Sequence, residues 1–205
     1  MALFPYKAAM QLSLLFASCT LFSAQPPMQE AQFLKRMKEY WKEGDFETAK
    51  RQIRSYLEQN PNPVLCEEMH LLLGDLYLKE GNFLSALEEY DQIKKEELLD
   101  KLFYNKVLCF YETNKVEQLL DISKSFASHP TITLEQKNSI RYLCASNFFE
   151  YSIASQNKDL NVLEKSKELF ESCAGTPFEN LSFYPLARLN ELHGNKKQAA
   201  SNQQN

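Results

Sequence analysis

An all-α solenoid of about four to five antiparallel helix pairs is the fold this sequence predicts, and three observations carry that prediction. Two segments place the same residues at the same offsets, Tyr40-Trp41-Lys42-Glu43-Gly44-Asp45-Phe46 ending on Ala49 and Tyr77-Leu78-Lys79-Glu80-Gly81-Asn82-Phe83 ending on Ala86, 37 residues apart. A period of that length marks stacked supersecondary units. Apolar residues recur at spacings of three and four along most of the chain, which puts them on one face of an α-helix. Glycine is scarce, 5 in 205 residues, while 44% of the residues are hydrophobic and 12% aromatic, as suits a packed helical core.

The elements follow in order. In the first pair Phe33, Met37 and Tyr40 lie on one helical face, Gly44 turns the chain, and Phe46, Ala49, Ile53 and Tyr56 line the second helix up to Asn60-Pro61. In the second, His70, Leu73, Gly74 and Tyr77 share a face, Gly81 takes the turn, and Ala86, Tyr90 and Ile93 follow. A glycine after the last helical residue supplies the left-handed conformation that ends a helix. Gly74 and Ala86 are small among large neighbours, so the two helices of that pair can approach closely. The third pair has Tyr104, Val107, Leu108 and Tyr111, a turn at Asn114-Lys115 without glycine, and a second helix that stops before His129-Pro130, because proline disfavours helix in the residue before it. A fourth runs from Leu134 to about Gln156 and from about Leu160 to Cys173, ending at Gly175-Thr176-Pro177. A fifth opens with Phe183, Leu186 and Ala187 and places Gly194 at a turn; the tail is polar from Ser201 to Asn205.

This pattern resembles the tetratricopeptide repeat, about 34 residues of helix, turn and helix, over residues 30–200. The resemblance implies a right-handed superhelix whose first helices line a concave face that holds another protein or a peptide. Met37 stands where that family prefers glycine. Carried over position by position, the face would present Ala31, Leu34, Lys38, Trp41 and Lys42 from the first pair, Glu68, Leu71, Asp75, Leu78 and Lys79 from the second, and Leu102, Asn105, Cys109, Glu112 and Thr113 from the third. The carboxylate clamp of one subgroup is missing, since Leu34 and Lys38 occupy its positions. The expected groove is instead an apolar strip of Leu34, Trp41, Leu71 and Leu78 edged by Lys38, Lys42 and Lys79, with Asp75 and Asn105 between, and it suits an amphipathic helix or an extended segment.

The N-terminus obeys a different logic. After Lys7 there is no charge from Ala8 to Gln29, and the apolar stretch within it is short of the ~20 residues that span a bilayer, so residues 1–24 read as an export signal. Phe16-Ala17-Ser18-Cys19 resembles a bacterial lipobox with Cys19 as the lipidated residue; a cut after Ala24 is the competing site. Residues 25–29 then form a tether. Export implies a periplasmic or lipid-anchored protein of the bacterial envelope.

Chemistry is absent from the pattern. Cys66, Cys109, Cys144 and Cys173 are widely spaced with no C-x-x-C pair, which fits one buried thiol per helical layer better than a zinc site or a disulfide framework. His70, His129 and His193 lie far apart, and no phosphate loop or nucleophile elbow is present. No metal, cofactor or catalytic residue is expected. With a net charge of −4 and cations mixed among anions, nucleic acid is not an expected partner. The expectation is a protein-binding scaffold of the envelope, touching membrane only through a lipid anchor. The alternatives are a structural N-terminal arm of a larger secreted protein and, last, an enzyme.

Overall fold

The computed structural model describes residues 27–60, 63–154 and 159–202, and among these the regular structure is entirely helical. The export signal with Cys19, the start of the tether and residues 203–205 lie outside the described residues. Helices α1 (Pro27–Glu43) and α2 (Phe46–Gln59), α3 (Cys66–Lys79) and α4 (Phe83–Tyr90), α5 (Glu96–Glu112) and α6 (Val116–Ser125), and α7 (Leu134–Ala154) and α8 (Leu160–Glu171) form four hairpins, followed by α9 (Glu179–Asn202). A 3-10 turn at Phe126–Ser128 closes α6 ahead of Pro130. None of the described helices is long and apolar enough to cross a membrane.

One local device builds three of the four hairpins. In the first, the Gly44 N–H donates to the Trp41 carbonyl and the Asp45 N–H to the Tyr40 carbonyl; Gly81 and Asn82 bond to Leu78 and Tyr77 in the same way, as do Asn114 and Lys115 to Tyr111 and Phe110. These paired bonds satisfy carbonyls that the ending helix leaves open. The geometry requires a left-handed residue, and φ is +81° at Gly44, +76° at Gly81 and +53° at Asn114. Asparagine is the residue that best replaces glycine there. The next residue caps the second helix: Asp45 accepts from the Thr48 N–H and Asn82 from the Ser85 N–H, whereas Lys115 offers no acceptor. Five residues beyond each left-handed position stands a fully buried side chain, Ala49, Ala86 or Leu119.

The chain divides into two compact units, one up to Met69 and one from His70. In the first unit α1 packs on α2, with Met37, Ala49 and Ile53 buried and Phe33 stacked on Tyr56 at 4.4 Å. Glu30 is also buried, and its carboxylate accepts the Leu65 N–H at 2.7 Å, just ahead of α3. A carboxylate suits the positive end of a helix. Helix α1 starts at Pro27, inside the stretch read as a tether; proline is pre-set for the first turn of a helix, where its missing N–H has no partner to lose.

In the second unit one cluster gathers Tyr77, Ala86, Leu87, Tyr90 and Leu102, and another gathers Val107, Leu119, Ile140, Phe148, Leu163 and Phe170. Helices α7 and α8 cross at two small residues, where the buried Ser166 hydroxyl donates to the Ala145 carbonyl at 2.8 Å. A capping box opens α7: the Thr133 hydroxyl accepts from the Gln136 N–H and the Gln136 side chain from the Thr133 N–H. The fifth hairpin does not form as expected. Gly194 lies within α9, which continues through Asn202, two residues into the stretch read as a polar tail. Isolated glycine is tolerated inside a helix, at a cost of roughly 1 kcal/mol, and the residues around Gly194 supply no competing turn.

Candidate binding site

The predicted groove residues separate into those the helices leave open and those they seal. In the first unit Lys38 and Lys42 are exposed and Trp41 is half-buried, its ring tilted against Phe46 at 5.7 Å. Leu34 is a correction: only 7% of it is exposed. It falls one helical turn from both Glu30 and Met37, which are buried, so it belongs to the inward face of α1 and not to an open strip. Leu102 is a correction of the same kind, at 1% exposure, while Cys109, at 0%, leaves the face the resemblance gave it and fits the buried thiol that the cysteine spacing implies. Helix α5 packs against α4, α6 and α7, and a helix with neighbours on several sides has few positions left to present.

In the second unit Leu71, Asp75 and Leu78 succeed one another by four and three residues along one side of α3, and all are half-buried. The two leucines pack on the edge of the Tyr77–Tyr90 cluster. Asp75 is not a solitary groove residue. Its Oδ1 accepts from the Tyr90 hydroxyl at 2.7 Å and from Asn105 Nδ2 at 2.9 Å, so α3, α4 and α5 meet on one carboxylate oxygen. The sequence reading named Asp75 and Asn105 separately; their direct contact is the new element. Tyr90, read only as core, supplies the third member.

Burial raises the Asp75 pKa above the ordinary carboxylate value, and the two donated hydrogen bonds only partly offset it. Tyr90 titrates above its normal range because it is buried and because the Asp75 charge opposes a second anion beside it. The buried Cys109 thiol is pushed up to about 11, by burial first and then by Asp75. These directions agree: the pocket behind Asp75 disfavours negative charge. The buried Cys144 thiol is likewise raised by burial, to about 12. None of Cys66, Cys109, Cys144 and Cys173 is in a disulfide, and Cys66, half-buried, departs from the expected pattern of sealed ones.

Two further features lay outside the sequence reading. An open cleft of about 620 Å³ is lined by Glu97, Asp100, Tyr104, Ile132 and Gln136. Beside it His129 stacks on Phe103 at 4.1 Å, with its Nε2 3.9 Å from Asp100. On α9, Leu181, Phe183 and Tyr184 are all more than half exposed, while Ser182 and Leu189 face inward. Among the described residues no three His, Cys, Asp or Glu side chains converge as a metal site. No family model, curated protein or solved structure matches this chain.

Proposed function

We infer that this chain is a tetratricopeptide-type repeat protein that holds a segment of another protein, with the open side of α3 in its second unit as the binding surface. The observation that carries the reading is the thrice-repeated hairpin turn at Gly44, Gly81 and Asn114, with the same backbone bonds and the same buried position five residues on. Leu71, Asp75 and Leu78 are the half-buried groups such a surface needs, and Trp41 with Lys38 and Lys42 offers a separate set of half-buried and exposed groups in the first unit. Tryptophan is among the side chains enriched at the energetic centres of protein interfaces, and the half-buried leucines add apolar area that a partner can cover. The uncharged N-terminal stretch supports placement in the bacterial envelope, periplasmic or lipid-anchored at Cys19, and binding rather than catalysis is the role proposed.

The test uses a photoreactive amino acid at position 78 of the full chain in cells that produce it. The expected result is a cross-link to a discrete polypeptide, lost when the probe sits at the buried position 73. The change Leu78→Ala should weaken capture of that polypeptide by about tenfold, the equivalent of roughly 1.4 kcal/mol, with the melting temperature nearly kept. A probe at position 78 that captures nothing would overturn the reading.

A second reading, a structural arm of a larger secreted protein, is favoured by α9, whose outward Leu181, Phe183 and Tyr184 could seat another helix. A stop codon directly after Asn205 in the gene would remove it.

A further inference from the structure

We propose that Asp75 is a receptor for a primary ammonium group, either a lysine side chain or a terminal amine of the bound segment, taken by its second carboxylate oxygen between Leu71 and Leu78. The proposal rests on the protein-binding reading above and specifies its chemistry.

The argument begins from what holds the carboxylate. Both donors, the Tyr90 hydroxyl and Asn105 Nδ2, bond to the same oxygen, Oδ1. A carboxylate oxygen has two lone pairs, so Oδ1 is saturated. Oδ2 accepts no hydrogen bond among the described residues, and Asp75 as a whole is half-buried. The carboxylate is therefore fixed in orientation by two helices while its other oxygen keeps its lone pairs unused.

The charge is also uncompensated. None of the ion pairs among the described residues includes Asp75, and both groups that hold it are neutral. The titratable groups that interact with it are Tyr90 on α4 and Cys109 on α5, and Cys109 in turn feels Lys106 and Glu112. The Lys106 ammonium is engaged by Asp91 at 2.6 Å. Lys79, one turn along α3, is exposed. A half-buried anion held only by neutral donors is costly to keep charged, and the raised pKa of Asp75 expresses that cost. An incoming cation would offset it, which is what makes the site a receptor rather than a mere helix tie.

The geometry further selects among cations. A guanidinium pairs best through two parallel bonds to both carboxylate oxygens, and here one oxygen is already filled. An ammonium is a compact point charge that needs only one. Leu71 and Leu78, one turn to either side and half-buried, offer apolar walls to the methylene stem of a lysine.

The experiment follows the side-chain carbonyl carbon of Asp75 by carbon-13 NMR in the full chain, during titration with n-butylammonium, alaninamide, n-butylguanidinium and the uncharged n-butanol. Saturable shifts of the Asp75 signal are expected with the ammonium probes, together with a fall in its titration midpoint, since a bound cation favours the ionised form. Stronger binding of n-butylammonium assigns the lysine source, and stronger binding of alaninamide assigns the terminal amine. Asp75→Asn should weaken the binding by roughly tenfold or more, as judged from other signals near the site. An unmoved midpoint, an equal response to n-butanol, or tighter binding of the guanidinium would each overturn the proposal, and all three are read on the unaltered chain. Ammonium binding without any cross-link from position 78 would leave this site standing and remove the protein-binding reading. The reverse pattern would remove only this site.

Discussion

Gly74 is a position where one missing methyl group sets the arrangement around it. A Cβ there would stand 2.6 Å from Cδ1 of the fully buried Tyr90, well inside van der Waals contact. The ring cannot yield without drawing its hydroxyl away from Asp75, so overpacking and a lost charge-assisted bond would come together. Gly74→Ala is expected to destabilise the protein by roughly 1–3 kcal/mol in urea unfolding and to lower the stability difference between wild type and Tyr90→Phe. Should Gly74→Ala unfold at the same denaturant concentration as the parent, the close crossing of α3 and α4 is not what holds Tyr90. Asp75 sets a pH dependence of its own. Its pKa is raised in the folded state, so its ionisation opposes folding. Its contribution is most favourable below the ordinary carboxylate pKa and declines as pH rises from there through the raised folded value. Asp75→Asn should remove that decline, measured as the difference in unfolding free energy between the two proteins across the acid range. An identical pH profile for both proteins would show that the carboxylate is not held in the manner described.

At the scale of the element, the hairpin turns separate what sequence conveys from what it does not. Gly44 and Gly81 declare themselves by residue type, and even Asn114, a weaker signal, is placed correctly because the apolar spacing resumes on either side of it. Those features are local, and the helix borders follow from them. Burial on the open side is not local. Leu34, Leu102 and Cys109 were assigned to an open face by their positions along their own helices, whereas their exposure is decided by which other helices pack there. The bond from Tyr90 to Asp75 is invisible for the same reason: the two residues are 15 apart on different helices, and each has a sufficient reading alone. Gly194 failed because a glycine permits a left-handed turn but does not create one. The capping pattern also yields a prediction. Lys115 occupies the position where Asp45 and Asn82 accept a backbone N–H, and it has no acceptor. Lys115→Asp should stabilise the protein by roughly 0.5–1 kcal/mol in thermal or urea unfolding. A neutral or destabilising result would mean that α6 does not begin in the geometry of α2 and α4.

For the whole molecule, the division into two compact units means that a single melting temperature need not describe both. The helix pairs that pack together within them, from α1 on α2 to α7 on α9, are neighbours in the chain or next neighbours. Among the described residues of each unit, these pairs need no late-arriving segment to close an early one. Each hairpin can thus complete its turn, its cap and most of its apolar contacts while the ribosome is still extending the chain behind it. The protein can be assembled in the order in which it is made, with little of its apolar surface waiting for a distant partner.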